Sequence, residues 1–100
     1  MDEKKLEQEI QDKGLNAPRL TPDLITSKIV SGEYHVFSDT CLTVCCLTLE
    51  NGFTVTGESA CASPENFDAG IGQKIAFEQA KNKIWMLEGY LLKQKLHENK

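Results

Sequence analysis

Residues 51–92 read NGFTVTGESACASPENFDAGIGQKIAFEQAKNKIWMLEGYLL, and they run turn, strand, capped loop and long helix in that order. Asn51-Gly52 is the strongest short hairpin signal a sequence carries. Upstream of it, Cys41 to Leu49 (CLTVCCLTL) is β-branched and apolar; downstream, Phe53 to Cys61 returns. Closing the turn with two residues pairs Thr48 with Val55, Cys46 with Gly57, Val44 with Ser59 and Leu42 with Cys61. One face then carries Leu42, Val44, Cys46, Phe53 and Val55, and this face is expected to be core. The other carries Cys45, Leu47 and Leu49 among threonines, half polar, as a surface awaiting a second layer or a partner.

After the hairpin, Ser63-Pro64-Glu65-Asn66 reads as a helix start or a single turn before one, with Asp68 a second capping candidate. A helical pattern then extends to about Leu96. Ala76, Ala80, Ile84, Leu87 and Leu91 make one apolar stripe; Ile71, Trp85, Leu92 and Leu96 make another on nearly the opposite side. Unbroken, such a helix is roughly 45 Å long, against a radius of gyration of about 13 Å for a compact chain of this size. Either Gly89 breaks it or one face packs on another subunit; a homo-oligomer is the favoured reading.

Towards the N-terminus, residues 2–13 form a short exposed helix with Leu6 and Ile10 on one face and Gly14 as its stop. The stretch from Leu15 to Leu20 reads as a linker. Thr21-Pro22-Asp23 restarts a helix, with Thr21 as N-cap and Pro22 at the first position. Its stripe of Leu24, Ile25, Ile29 and Val30 is expected to end near Ser31-Gly32. Tyr34 to Phe37 alternates weakly, as an edge strand does. The division is an exposed helix over 1–14 and a single α+β domain over 15–100.

The 100 residues carry a net charge of −4, from 15 acids and 11 bases. That balance argues against general nucleic-acid binding, which shows a basic excess. No run approaches the ~18 apolar residues of a membrane span, and MDEKKLEQE is too charged for a secretory signal. A cytoplasmic location is therefore expected, where the four cysteines stay reduced. Cys41 and Cys45, four apart on a strand, lie roughly 13 Å apart, too far to share one metal. Buried thiols acting as small hydrophobes are expected, and neither a metal nor a cofactor.

No catalytic constellation emerges. His35 and His97 have no evident partners, and Gly57-Glu58-Ser59-Ala60-Cys61 lacks the second glycine of a nucleophile elbow. The chain is read as not an enzyme. Binding candidates are sparser than their ordinary alternatives. Arg19, the sole arginine, has the planar fork that suits phosphate or carboxylate, or it makes a surface ion pair. Lys81 and Asn82 lie on the outer arc of the long helix, able to meet an anion and a base edge or ribose, or simply solvated. Phe67 stacks on a ring or staples the helix start. Gly70-Ile71-Gly72 lacks phosphate-loop spacing and reads as close packing.

Several segments together carry a family resemblance: Pro18-Arg19-Leu20-Thr21-Pro22, Thr48-Leu49 with Asn51-Gly52-Phe53, Gly57-Glu58-Ser59, Pro64 to Asp68, and Ile84-Trp85 with Leu87-Glu88-Gly89-Tyr90. From about Ala17 to Leu96 the chain resembles the phage gene-product-forty-nine and gene-sixty-six family of small tailed-phage proteins. The resemblance implies an accessory phage or prophage product in an infected or lysogenic host. That family also looks similar to the Thoeris anti-defence sponges, which hold cyclic ADP-ribose signals or cyclic oligonucleotides without cleaving them. This implies a symmetric oligomer with pockets between protomers. On that reading Arg19 and Lys81 hold phosphates, Asn82 and Asn66 meet ribose or base edges, Ser59 supplies a hydroxyl and Phe67 stacks. The alternative is a protein-interaction module docking through the Leu47 and Leu49 face.

Overall fold

The computed structural model describes residues 3–14 and 17–99. It is α+β: α1 (Glu3–Asp12), α2 (Pro22–Ser27), β1 (Ile29–Val36), β2 (Thr43–Leu49), β3 (Thr54–Ser59), a 3-10 turn (Pro64–Asn66) and α3 (Ala69–Glu98). The three strands make one antiparallel meander with β2 in the middle. The linker expected at Leu15 and Asn16 lies outside the described residues.

The hairpin forms at Asn51-Gly52, but three residues close it rather than two. The Leu49 amide donates to the Phe53 carbonyl at 2.8 Å, and the Gly52 amide to the Leu49 carbonyl at 2.9 Å. Asn51 Oδ1 accepts from the Phe53 amide at 3.0 Å. Gly52 sits at φ +89°, the left-handed position that such a loop assigns to glycine. The extra residue shifts the register by one: Thr48 faces Thr54, Leu47 faces Val55, Cys45 faces Gly57 and Thr43 faces Ser59. A one-residue slip turns every side chain of a strand over. The core face of β2 is therefore Thr43, Cys45 and Leu47, all buried. Leu42, Val44 and Cys46 are only half buried, and Phe53 is 56% exposed. Val55 is core as expected. The exposed docking patch expected at Leu47 and Leu49 does not exist: Leu47 is 1% exposed and Leu49 packs against the core.

Two element boundaries move for a tertiary reason. Thr21 caps α2 through its Oγ1, which accepts from the Leu24 amide at 3.2 Å, and Ile25 is fully buried. The helix nevertheless stops at Ser27. Ile29 and Val30, expected on the helical stripe, belong to β1, because Ile29 finds Leu49 as its partner on β2 and the Lys28 carbonyl accepts from the Glu50 amide. The register is irregular between Ile29 and Ser31. β-branched residues beside an open strand edge pair rather than coil. β1 is exposed over nearly its whole length. Tyr34 stands opposite Cys45, whose thiol burial pushes up.

Asp68 caps α3, its Oδ1 accepting from the Ile71 amide at 2.9 Å. The helix continues unbroken for 30 residues, through Gly89. Gly72, Ala76, Ala80 and Ile84 are its buried residues, one every fourth position. Leu87 and Leu91, expected to continue that stripe, are 39% and 45% exposed. A 30-residue helix spans about 45 Å and a 7-residue strand about 23 Å, so the helix outruns the sheet it packs on. The molecule measures 53 × 31 × 19 Å.

The tightest contact is between α3 and β3. A Cβ placed on Gly57 would collide with the Ala76 carbonyl oxygen and the Ala80 amide nitrogen, and would lie 2.9 Å from Gln79 Cβ. Backbone meets backbone here because three small residues, Gly57, Ala76 and Ala80, coincide. Gln79 completes the seam, its Oε1 accepting from the Glu58 amide at 3.0 Å. Nearby, Gly72 leaves room for the side chain of Thr43, whose Oγ1 is buried with no hydrogen-bond partner.

Gly57→Ala is expected to cost about 3 kcal/mol or prevent folding, because the colliding atoms are backbone and cannot step aside. Gly52→Asn, at a position asparagine tolerates, should cost less than about 1 kcal/mol. Thr43→Val keeps the side-chain shape and removes the orphaned hydroxyl, so it should gain about 1 kcal/mol. Urea unfolding midpoints of the three variants check all three.

Candidate functional site

A concavity lies between α1 and the side of α3 that faces it. It has a volume of about 910 Å³ and is lined by Leu6, Ile10, Leu20 and Pro22 together with Lys81, Asn82 and Trp85. Leu6 and Ile10 face inward because they lie one helical turn apart on the apolar side of α1. Lys81, Asn82 and Trp85 lie within four residues on α3 and share its outer arc.

The groove's cations are already engaged. Arg19 forms a forked pair with Glu7, both guanidinium nitrogens at 2.6 Å from the two carboxylate oxygens. The hydrogen bond from Arg19 holds the Glu7 carboxyl below its ordinary value, and Glu7 in turn raises Arg19. Lys81 Nζ lies 3.2 Å from Glu3 Oε2 and 3.4 Å from Glu78 Oε1. It also sits 5.7 Å above the centre of the Phe77 ring. The walls hold Glu3, Glu7 and Glu78 against Lys4 and Lys81, so the closed groove is acidic.

The six candidate residues fall into two groups. Arg19, Lys81 and Asn82 are at this groove, Arg19 through its pair with Glu7. Ser59 ends β3 opposite Thr43, Asn66 ends the 3-10 turn, and Phe67 leads into the Asp68 cap. Lys81 lies twelve residues beyond Ala69 on α3, about 18 Å along the helix axis. One chain therefore does not gather all six around a small ligand. Glu3 and Glu7, which occupy the cations, escaped the sequence reading; their four-residue spacing with Leu6 and Ile10 on one small helix was the available signal.

Other chemistry is sparse. His35 makes an edge-on contact with Phe37 at 4.7 Å, on the open face of the sheet. Among the described residues, no three His, Cys, Asp or Glu side chains converge as a metal would need, and no helix is long and apolar enough to cross a membrane. A second concavity of about 440 Å³ lies where α3 passes the hairpin, between Phe53, Leu49, Leu87, Tyr90 and Leu91. Lys28 sits at its edge, 2.9 Å from Glu50 and 3.5 Å from Glu88.

Because Glu7 is depressed in the folded chain, its contribution to holding α1 is complete above the ordinary carboxylate value of 4.5 and lost as pH falls through the lowered one. Trp85, the sole tryptophan, lines the same groove. Acid titration should therefore red-shift and expose Trp85 emission while far-ultraviolet circular dichroism still shows the folded sheet. Glu7→Gln should show that emission already at neutral pH; an unchanged spectrum would mean that the pair does not hold α1.

Searches of curated proteins and of solved structures return no match to the chain. A family model does match, over residues 20–96, which takes in α2, all three strands and nearly all of α3 while leaving α1 outside. With more than three quarters of its length in that match, the chain belongs to the phage protein (N4 Gp49/phage Sf6 gene 66) family.

Proposed function

We propose that this phage-family protein is a non-enzymatic sponge that sequesters a nucleotide-derived immune signal in the cytoplasm of the bacterial host. The ligand is of the cyclic ADP-ribose type or a cyclic oligonucleotide. The observation that carries the reading is the groove itself. Its size suits a nucleotide, and it sets an indole, an amide and an ammonium side by side in Trp85, Asn82 and Lys81. Trp85 offers a face to a base, Asn82 both donates and accepts at a base edge or ribose, and Lys81 meets phosphate as a point charge. An incoming phosphate takes the place of the Glu3 and Glu7 carboxylates on Lys81 and Arg19, so α1 must give way for the site to fill. A second copy of the chain brings Ser59, Asn66 and Phe67 to the same ligand.

A second reading has its own observation. Phe53, Leu87, Tyr90 and Leu91 are exposed together where α3 passes the hairpin, and such a patch suits docking on a host or phage protein.

Native mass spectrometry with a panel of cyclic nucleotides tests the first reading. An uncleaved nucleotide bound to a symmetric oligomer is expected. A bound nucleotide at a hundredfold excess over its Kd adds about 2.7 kcal/mol by linkage, seen as a rise in Tm. Lys81→Ala and Arg19→Ala should each abolish that rise and leave the oligomer intact. No rise with any nucleotide, together with an exposed Phe53–Tyr90 patch in solution, moves the function to protein docking.

A further inference from the structure

The three-residue turn has an effect at the open end of the hairpin. The last rung between β2 and β3 is Thr43 opposite Ser59. Both strands end at that rung, and the same register continued two residues past it sets Cys41 against Cys61 with both side chains on one face. Cys61 is also the neighbour that does most to push the Cys41 thiol up. Both are free and half buried, at the rim of the sheet rather than under the helix. The other two thiols are placed differently. Cys45 is fully buried opposite Tyr34, while Cys46 points to the opposite face.

We propose that Cys41 and Cys61 form an oxidisable dithiol, closed to an intramolecular disulfide by exchange with a small-molecule disulfide of the glutathione type. Directly opposed residues of antiparallel strands have Cα atoms about 4.5–5.5 Å apart, inside the roughly 4.4–6.8 Å window that a disulfide spans. On that register, closure is a matter of side-chain rotation. Cys61 and, more weakly, the Glu65 carboxylate push the Cys41 thiol up. In the proposed exchange Cys61 is the attacking sulfur. Its thiolate attacks one sulfur of the small disulfide, forms a mixed disulfide and expels one small thiolate. The Cys41 sulfur then attacks Cys61 Sγ, forms the protein disulfide and expels the second small thiolate. The two cysteine protons end on the two released thiols, so the protein dithiol is oxidised by two electrons and the small disulfide is reduced by two.

The bond would clamp the open end of the β2–β3 hairpin, the end remote from Gly52, and fix the chain that leads through Phe67 to the Asp68 cap. This proposal stands apart from the nucleotide reading, since neither thiol lines the α1–α3 groove.

The test incubates the full chain with oxidised glutathione and reads intact mass, free thiols and a proteolytic map. The expected product has lost two hydrogen atoms, keeps two of its four thiols and yields one cross-linked peptide joining Cys41 to Cys61. Its Tm should rise by about 5–10 °C, and dithiothreitol should restore the starting mass. Cys41→Ser should stop at the glutathione adduct on Cys61, because the resolving sulfur is gone. A persistent glutathione adduct on the unmodified sequence, a Cys45–Cys46 or intermolecular link, or no loss of thiols would each overturn the proposal. The peptide map of the unmodified chain decides even if the serine variant folds poorly.

Discussion

The fold depends on backbone-to-backbone contact between α3 and β3 at Gly57. Ordinary helix-on-sheet packing interposes side chains. Here the Ala76 carbonyl and the Ala80 amide lie where a Gly57 side chain would begin. Three small residues at matching heights draw the helix down onto an edge strand, and Gln79 satisfies the Glu58 amide that the seam would otherwise strand. Once α3 is seated at this point, the rest of its path follows. Ile84 falls over the core, Gly72 over Thr43, and the C-terminal turns pass beyond the hairpin.

That seating also explains the distribution of exposed apolar surface. A small three-stranded sheet cannot cover both ends of a 30-residue helix, and the apolar residues beyond its reach stay at the surface. α1 is tied by two acidic contacts, Glu7 to Arg19 in the segment before α2 and Glu3 to Lys81 on α3. These hold exposed or half-buried groups whose attraction is screened by water and salt. α1 contributes no buried residue to the core, and the family match begins beyond it.

The candidate site was partly legible in the sequence. Lys81, Asn82 and Trp85 are close in sequence on one helix, so their convergence needs no tertiary knowledge. The engagement of Arg19 and Lys81 by carboxylates from α1 was not legible, because it depends on where a separate helix docks. Nor was the pairing of Cys41 with Cys61. A two-residue loop would have set Cys61 against Leu42; the three-residue loop at Gly52 gives the register that, continued past Thr43 and Ser59, sets it against Cys41.

Sequence by itself determined the kind and order of the main elements: the hairpin about Asn51-Gly52, the Asp68-capped helix with small residues at Ala76 and Ala80, and the Thr21-Pro22 helix start. Each of these rests on local chemistry, a cap, a turn residue or a helical period, and local chemistry acts between neighbours. Tertiary structure decided which face of β2 is core, where α2 stops and how far α3 is covered. Strand register has a period of two, so a loop longer by one residue interchanges the faces of β2 while leaving its composition untouched. Likewise Ile29 and Val30 suit either a helix or a strand, and the open edge of β2 settled them by offering Ile29 a partner in Leu49.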